Sequence, residues 1–162
     1  MAEDLRSALN HALCDELESA LSRIVHCVNQ LNESQVWWRP PEGTNAIGNL
    51  ILHLTGNVKQ MVVTNLTGAA DTRDRPAEFA AREAVPKDEL VAGLAAVVAQ
   101  AREAVTSASD ARLVQVRKVN NNDWTGIQAA VRSISHFRGH AQEIIHITRT
   151  VLGAAYQFAG PR

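Results

Sequence analysis

The stretch SISHFRGHAQEIIH, Ser133 to His146, decides how this chain is read. Its apolar residues Ile134, Phe137, Ala141 and Ile144 recur at intervals of three and four, the spacing of one face of an α-helix. Ala130 extends the stripe, and the pattern predicts a helix from about Thr125 to Leu152 with Gly153 as its stop. The same stretch holds three of the chain's six histidines. His136 and His140 are four residues apart, so they emerge from adjacent turns on the shoulder of the stripe, at the rim of the core. His146 falls with Ser135, Gln142 and Arg149 on the polar arc and is expected in solvent.

Outward from that helix, apolar spacing of the same period marks three more. The first runs from about Asp4 to Leu31, with Leu9, Leu13, Leu17, Ala20, Leu21, Ile24, Val28 and Leu31 as its stripe. NESQVWWRPPEGTN ends it, because two prolines and a glycine cannot continue a helix. The second starts near Asn45, read as an N-cap, carries Ile47, Leu50, Ile51, Leu54, Val58 and Met61 on one face, and ends near Gly68. The third begins around Pro86, a residue suited to a first turn, and runs through LVAGLAAVVAQAREAV to about Ser107. No segment alternates with period two for long enough to predict a strand. The fold class is therefore all-α, a four-helix bundle, with residues 1–162 read as a single domain. Between helices two and three, GAADTRDRPAEFAAREAV is charged and stripe-free, a long connection with at most one short turn. It exceeds a tight hairpin and is long enough to span the bundle, which allows helices two and three to run parallel.

Composition narrows the function classes. Sixteen Lys+Arg stand against seventeen Asp+Glu, a net charge of -1 with no block of one sign, so neither a nucleic-acid partner nor a membrane surface is expected. No apolar run approaches the roughly 20 residues of a membrane span, and MAEDLRSALN lacks the features of a secretory signal. The expectation is a soluble, cytoplasmic protein. Cys14 and Cys27 would lie about 20 Å apart along the first helix, too far for a disulfide. No serine-centred elbow, glycine-rich phosphate loop or CxxC motif is present.

His53 repeats the pattern of the last helix on helix two, beside Leu50, Leu54 and Met61, with Asn57 and Gln60 on the same edge. Two ligands at i, i+4 and a third from a facing helix supply three nitrogens to a divalent metal, leaving positions for water or substrate. The alternative is a set of ordinary surface or hydrogen-bonded histidines. His11 and His26 lie off the first helix's stripe and are given no role. Glu16, near Ala20, is either a carboxylate that orients a ligand imidazole or a rim residue. Arg73 and Arg75 read as exposed loop arginines pairing with Asp71, Asp74 or Glu78, with a grip on an anionic substrate as the alternative. Trp37, Trp38 and Trp124 read as plugs at the bundle ends, with a binding platform as the alternative.

WWRPPEGTNAIGNLILHLTGN (Trp37–Asn57) and SHFRGHAQEI (Ser135–Ile144), set in this layout, resemble the DinB/YfiT-like superfamily of metalloenzymes from about Leu5 to Leu152. DTRDRPAEF (Asp71–Phe79) is similar to a D-x-R-x-R-x-x-E-F segment of an uncharacterised bacterial branch. The resemblance implies a bundle with a long crossover between helices two and three, and a divalent metal ion, zinc or nickel, held by His53, His136 and His140. It also implies a homodimer, which the alanine-rich third helix and the wide apolar arc of the first favour independently.

Relatives that include mycothiol-dependent maleylpyruvate isomerase and bacillithiol S-transferases imply a low-molecular-weight thiol and a small-molecule substrate. The function so implied is metal-dependent S-transfer or isomerisation. The competing readings are a metal-dependent hydrolase and a non-catalytic dimeric metal-binding or stress-related bundle. Two departures bear on specificity: Ala141-Gln142 stands where relatives often have Gly-Gln, and Asn45-Ala46-Ile47 where many have a serine.

Overall fold

Leu13, Leu17, Ala20, Ile24, Val28 and Leu31 are all buried, most of them along the inner face of α1 (Ala2–Asn29), while Leu9 and Leu21 pack at its edge. The structure is a computed structural model that describes residues 2–41, 43–82, 85–119 and 121–159, with side chains from residue 4 onward. After α1 the short helix α2 (Glu33–Val36) is capped by Asn32, which accepts from the Gln35 amide at 2.9 Å. Helix two begins as α3 (Ile47–Val58), continues through a π turn (Lys59–Thr64) and closes as α4 (Asn65–Thr67). Its predicted stripe is buried throughout. The crossover contains α5 (Arg75–Ala80), and helix three is α6 (Lys87–Ser107).

Helix four is α8 (Gly126–Leu152), and its start is chemically specified. The Thr125 hydroxyl accepts from the Gln128 amide at 3.1 Å while the Gln128 side chain accepts from the Thr125 amide at 3.0 Å, a reciprocal cap. Ala130, Ile134, Phe137, Ala141 and Ile144 are buried, as the stripe requires.

Hydrogen bonds between helix ends fix the relative directions of helices one, two and three. Lys87 Nζ donates to the Leu31 carbonyl at 2.7 Å, so α6 starts where α1 ends. Asn49 Nδ2, in the first turn of α3, donates to the Glu78 and Ala81 carbonyls at 2.9 and 3.1 Å, so the crossover has come back to the start of helix two. At the other end Arg6 donates to the Ala108 carbonyl, joining the start of α1 to the end of α6. Helices two and three therefore run parallel, as the length of their connection allows. Helix α1 packs on α8 and α6, and α3 on α6 and α8, enclosing one apolar cluster.

Four sequence readings change. Helix two is capped at Ala46, not Asn45: the Ala46 amide donates to the Asn49 side chain at 3.3 Å, so the cap reaches back from inside the helix. The polar stretch before α8 holds α7 (Asp110–Val114) and two antiparallel strands, β1 (Val116–Val119) and β2 (Asn122–Thr125), where no strand was expected. The signal available is VRKV and NDWT separated in sequence by two asparagines, of which Asn121 has φ 62°. The π turn in helix two was not foreseen; Gly68, at φ 83°, does end that helix. Last, Lys87–Ser107 is long and apolar enough, by length and composition, to cross a membrane, whereas the sequence reading found no such run. Its Leu90, Leu94, Val97, Val98, Ala101 and Val105 are buried in the bundle.

Candidate metal centre

His53 sits on α3, whose apolar stripe faces inward, and is itself only 4% exposed. His136 and His140 sit on α8, one turn apart on the shoulder of its stripe and half-buried. Packing α3 against α8 brings the three rings together. Ring centroids are 5.0 Å apart for His53 and His136, 5.3 Å for His53 and His140, and 4.4 Å for His136 and His140. One nitrogen from each ring lies within 4.8 Å of the others. Metal–nitrogen bonds of about 2.0–2.1 Å to one ion put ligand nitrogens roughly 3.3 Å apart, so small ring movements bring this set onto an ion.

Hydrogen bonds decide which nitrogens are free. His53 Nδ1 lies 2.9 Å from Glu78 Oε2, which only accepts, and 3.0 Å from Arg73 NH2, which only donates; that NH2 donates to Glu78 Oε2 at 2.9 Å, so the carboxylate is the partner of Nδ1, which carries the proton and leaves the lone pair on Nε2. His140 Nδ1 lies 2.7 Å from Glu143 Oε2, with the same consequence. The His53 Nε2 lone pair points at His136 Nε2, 2.8 Å away. With the lone pair on His53 Nε2, His136 Nε2–H donates across that gap; to serve as a ligand through Nε2, His136 would carry its proton on Nδ1 instead, and the three rings could then offer lone pairs to an ion. A carboxylate behind a ligand imidazole is the usual outer partner at metal sites, and two of the three rings have one.

Electrostatics favours neutral rings. Burial pushes His136 down to about 4, helped by the neighbouring His140 and His53 rings and by Arg73 and Arg75. Burial also lowers His53, against the pull of Glu78.

Glu78 is itself buried, 9% exposed, and Arg73 meets its charge through Nε to Oε1 at 2.7 Å and NH2 to Oε2 at 2.9 Å. Gln60 Oε1 accepts from Arg73 NH1 at 3.0 Å, and Gln60 Nε2 donates to Asp71 at 2.5 Å. The chain of contacts thus runs from His53 through Glu78 and Arg73 to Gln60 and Asp71. Gln60 is in the π turn, which places it toward the crossover.

The structure corrects several assignments around this set. Glu16 does not orient an imidazole; it pairs with Arg138. Glu78 has that role, from a segment read as a stripe-free connection. Arg73 is no exposed loop residue, since its side chain is 5% exposed. Asn57 accepts from Ser133 Oγ at 2.8 Å and touches none of the three rings directly among the described contacts. His146 is exposed, as expected. His26, given no role, holds the C-terminal segment through Nε2 to the Gln157 carbonyl at 2.7 Å. Trp37 does plug one bundle end, buried with Nε1 donating to the Val85 carbonyl at 3.2 Å. Trp38 is 40% exposed, and Trp124 lies under the Arg132 guanidinium.

Comparison with known proteins agrees with this architecture. A family model described as "Protein of unknown function (DUF1572)" matches residues 7–160. A conserved protein from Enterococcus faecalis superposes with a TM-score of 0.76 at 18% identity, over 88% of this chain and 96% of that one. A DinB-like protein from Bacillus cereus superposes with a TM-score of 0.71 at 14% identity, over 96% and 97%. No curated protein matches the sequence.

Proposed function

The chain belongs to the DUF1572 family and has the DinB-like fold, and from that premise we propose that it is a divalent-metal-dependent enzyme whose ion is held by His53, His136 and His140. The observation that carries the reading is the convergence of three imidazole nitrogens within 4.8 Å, two of the rings fixed by Glu78 and Glu143 so that Nε2 faces inward. Three neutral nitrogens suit zinc or nickel.

Bound there, such an ion supplies Lewis acidity, lowering the pKa of a coordinated thiol or water to give a nucleophile at neutral pH. The chain's own residues orient and insulate. Glu78 and Arg73 hold the His53 tautomer, Phe79 packs on the His53 ring at a centroid distance of 4.8 Å, and the half-buried His136 and His140 leave one side open. Among the described residues no fourth His, Cys, Asp or Glu joins the group, which favours an open, reactive site over a closed structural one. With a low-molecular-weight thiol in the open position the reaction is S-transfer or isomerisation of a small-molecule substrate; with water it is hydrolysis. A homodimer belongs to the same proposal, supported by exposed Ala92, Ala96 and Ala99 on α6, where a second helix could approach closely.

Elemental analysis of untagged protein tests the metal reading. About one zinc or nickel per chain is expected. Metal-free protein that also fails to take up added zinc, nickel or cobalt would overturn it and leave a non-catalytic bundle.

A further inference from the structure

Among the charged groups around the three imidazoles, Arg75 stands apart. The sequence pattern predicts that Arg73 and Arg75 pair with Asp71, Asp74 or Glu78. Only Arg73 does so, with Glu78. Asp71 accepts from Gln60, and Asp74 caps α5 by accepting from the Ala77 amide at 3.1 Å. Glu143 is held by His140. Arg75 pairs with no carboxylate among the described residues. Its guanidinium lies over Phe79, with Cζ 5.0 Å from the ring centroid, and Phe79 packs on His53 at a tilt of 39°.

These two contacts in series put a cation that no described carboxylate neutralises within about 10 Å of the His53 ring, close enough for a charge in a half-buried site to be felt. Arg75 is among the charges that favour the neutral form of His136. Among the described residues no hydrogen bond from the Arg75 guanidinium accompanies that ring contact, and a guanidinium fork matches a carboxylate. The residue is exposed, so a ligand approaching the open side of the cluster can meet it.

Resting on the metal reading above, we infer that Arg75 is a specificity-determining residue that binds the carboxylate of a substrate whose reacting atom sits beside His53, His136 and His140. Phe79 serves as its platform through the cation–π contact and presents an apolar wall to the body of the substrate.

The test uses the full chain loaded with cobalt and two thiols, 3-mercaptopropionate and 2-mercaptoethanol, each titrated while the sulfur-to-cobalt charge-transfer band is followed. The parent should bind 3-mercaptopropionate roughly tenfold more tightly, the scale of one charge-assisted contact in a partly solvated site. Arg75→Gln should abolish that preference without changing cobalt content or the affinity for 2-mercaptoethanol, and Arg75→Lys should keep part of it. An unchanged ratio in Arg75→Gln overturns the inference, because the preference then comes from the metal and thiol alone. So does equal binding of both thiols by the parent, or no band from either in protein that holds cobalt. Failure of the metal reading is distinct: the parent takes up no cobalt, and the inference falls with it.

Discussion

Glu78 and His53 meet across 25 residues of chain, carboxylate to Nδ1 at 2.9 Å, with both side chains more than nine-tenths buried. A buried carboxylate is tolerable only because Arg73 neutralises it through two hydrogen bonds. The pair therefore does two things: it fixes the His53 tautomer and it adds no net charge behind the ligand. Glu78→Ala should weaken metal binding by roughly 10–100-fold, the usual cost of losing an outer partner, while the far-ultraviolet helical signal stays. Zinc affinity measured by competition with a chromophoric chelator checks this. Parental affinity in the variant would show that His53 needs no such partner.

His53→Ala, His136→Ala and His140→Ala should each lose most bound metal, since two nitrogens rarely retain an ion that three hold. None should unfold the protein, because the stripe of α8 and that of α3 form a core beside the cluster and not through it. His146→Ala is the control: exposed on the far arc of α8, it should bind as the parent does. Full metal retention in all three cluster variants, read by elemental analysis, would remove the assignment.

The two helices that carry the imidazoles were legible in sequence because their apolar residues repeat with the helical period, and His136 and His140 are a local i, i+4 pair on one of them. His53 was legible by its place on the shoulder of a second stripe. The partner carboxylate was not. Glu78 lies in a six-residue helix with no stripe of its own, and it reaches His53 only because the crossover returns along helix two, a path set by tertiary hydrogen bonds from Asn49. Glu16 was the plausible guess because it sits on a long amphipathic helix, but α1 packs against α8 and α6 and its Glu16 meets Arg138. Periodicity reports which face is buried; it carries no information about which distant side chain arrives there.

The metal-free protein should lose stability in mild acid. In the folded chain His136 is pushed down to about 4 and His53 is also lowered, whereas in the unfolded chain both titrate near the ordinary value of about 6.5. Above that value both states hold neutral rings and the shift costs nothing. As pH falls from about 6.5 toward 4 the unfolded chain gains protons first, so stability is lost across that window. Urea midpoints between pH 7.5 and 4.5 should fall steadily, and His136→Asn should flatten the slope relative to the parent. Equal slopes in parent and variant would contradict the shifted imidazole.

Gly56 offers a way to disturb the centre without touching a ligand. It lies on α3 beside the crossover, and a Cβ added there would sit 2.0 Å from Glu78 Oε1 and 2.9 Å from Arg73 Nε. Alanine in a helix is otherwise favoured over glycine by roughly 1 kcal/mol, so Gly56→Ala sets a local gain in helix propensity against displacement of the Glu78 carboxylate. The carboxylate is the end of a side chain and can move, whereas the helix backbone is held by the core; Glu78 should therefore shift away from His53 Nδ1. Helical content should be unchanged and zinc affinity should drop roughly as in Glu78→Ala, about 10–100-fold. Gly93→Ala is the matched control, since a Cβ at that exposed position on α6 meets nothing within 4 Å. It should raise the unfolding free energy by up to about 1 kcal/mol and leave metal affinity alone. If Gly56→Ala binds zinc as tightly as Gly93→Ala does, the orientation of His53 by Glu78 is not what holds the ligand in place.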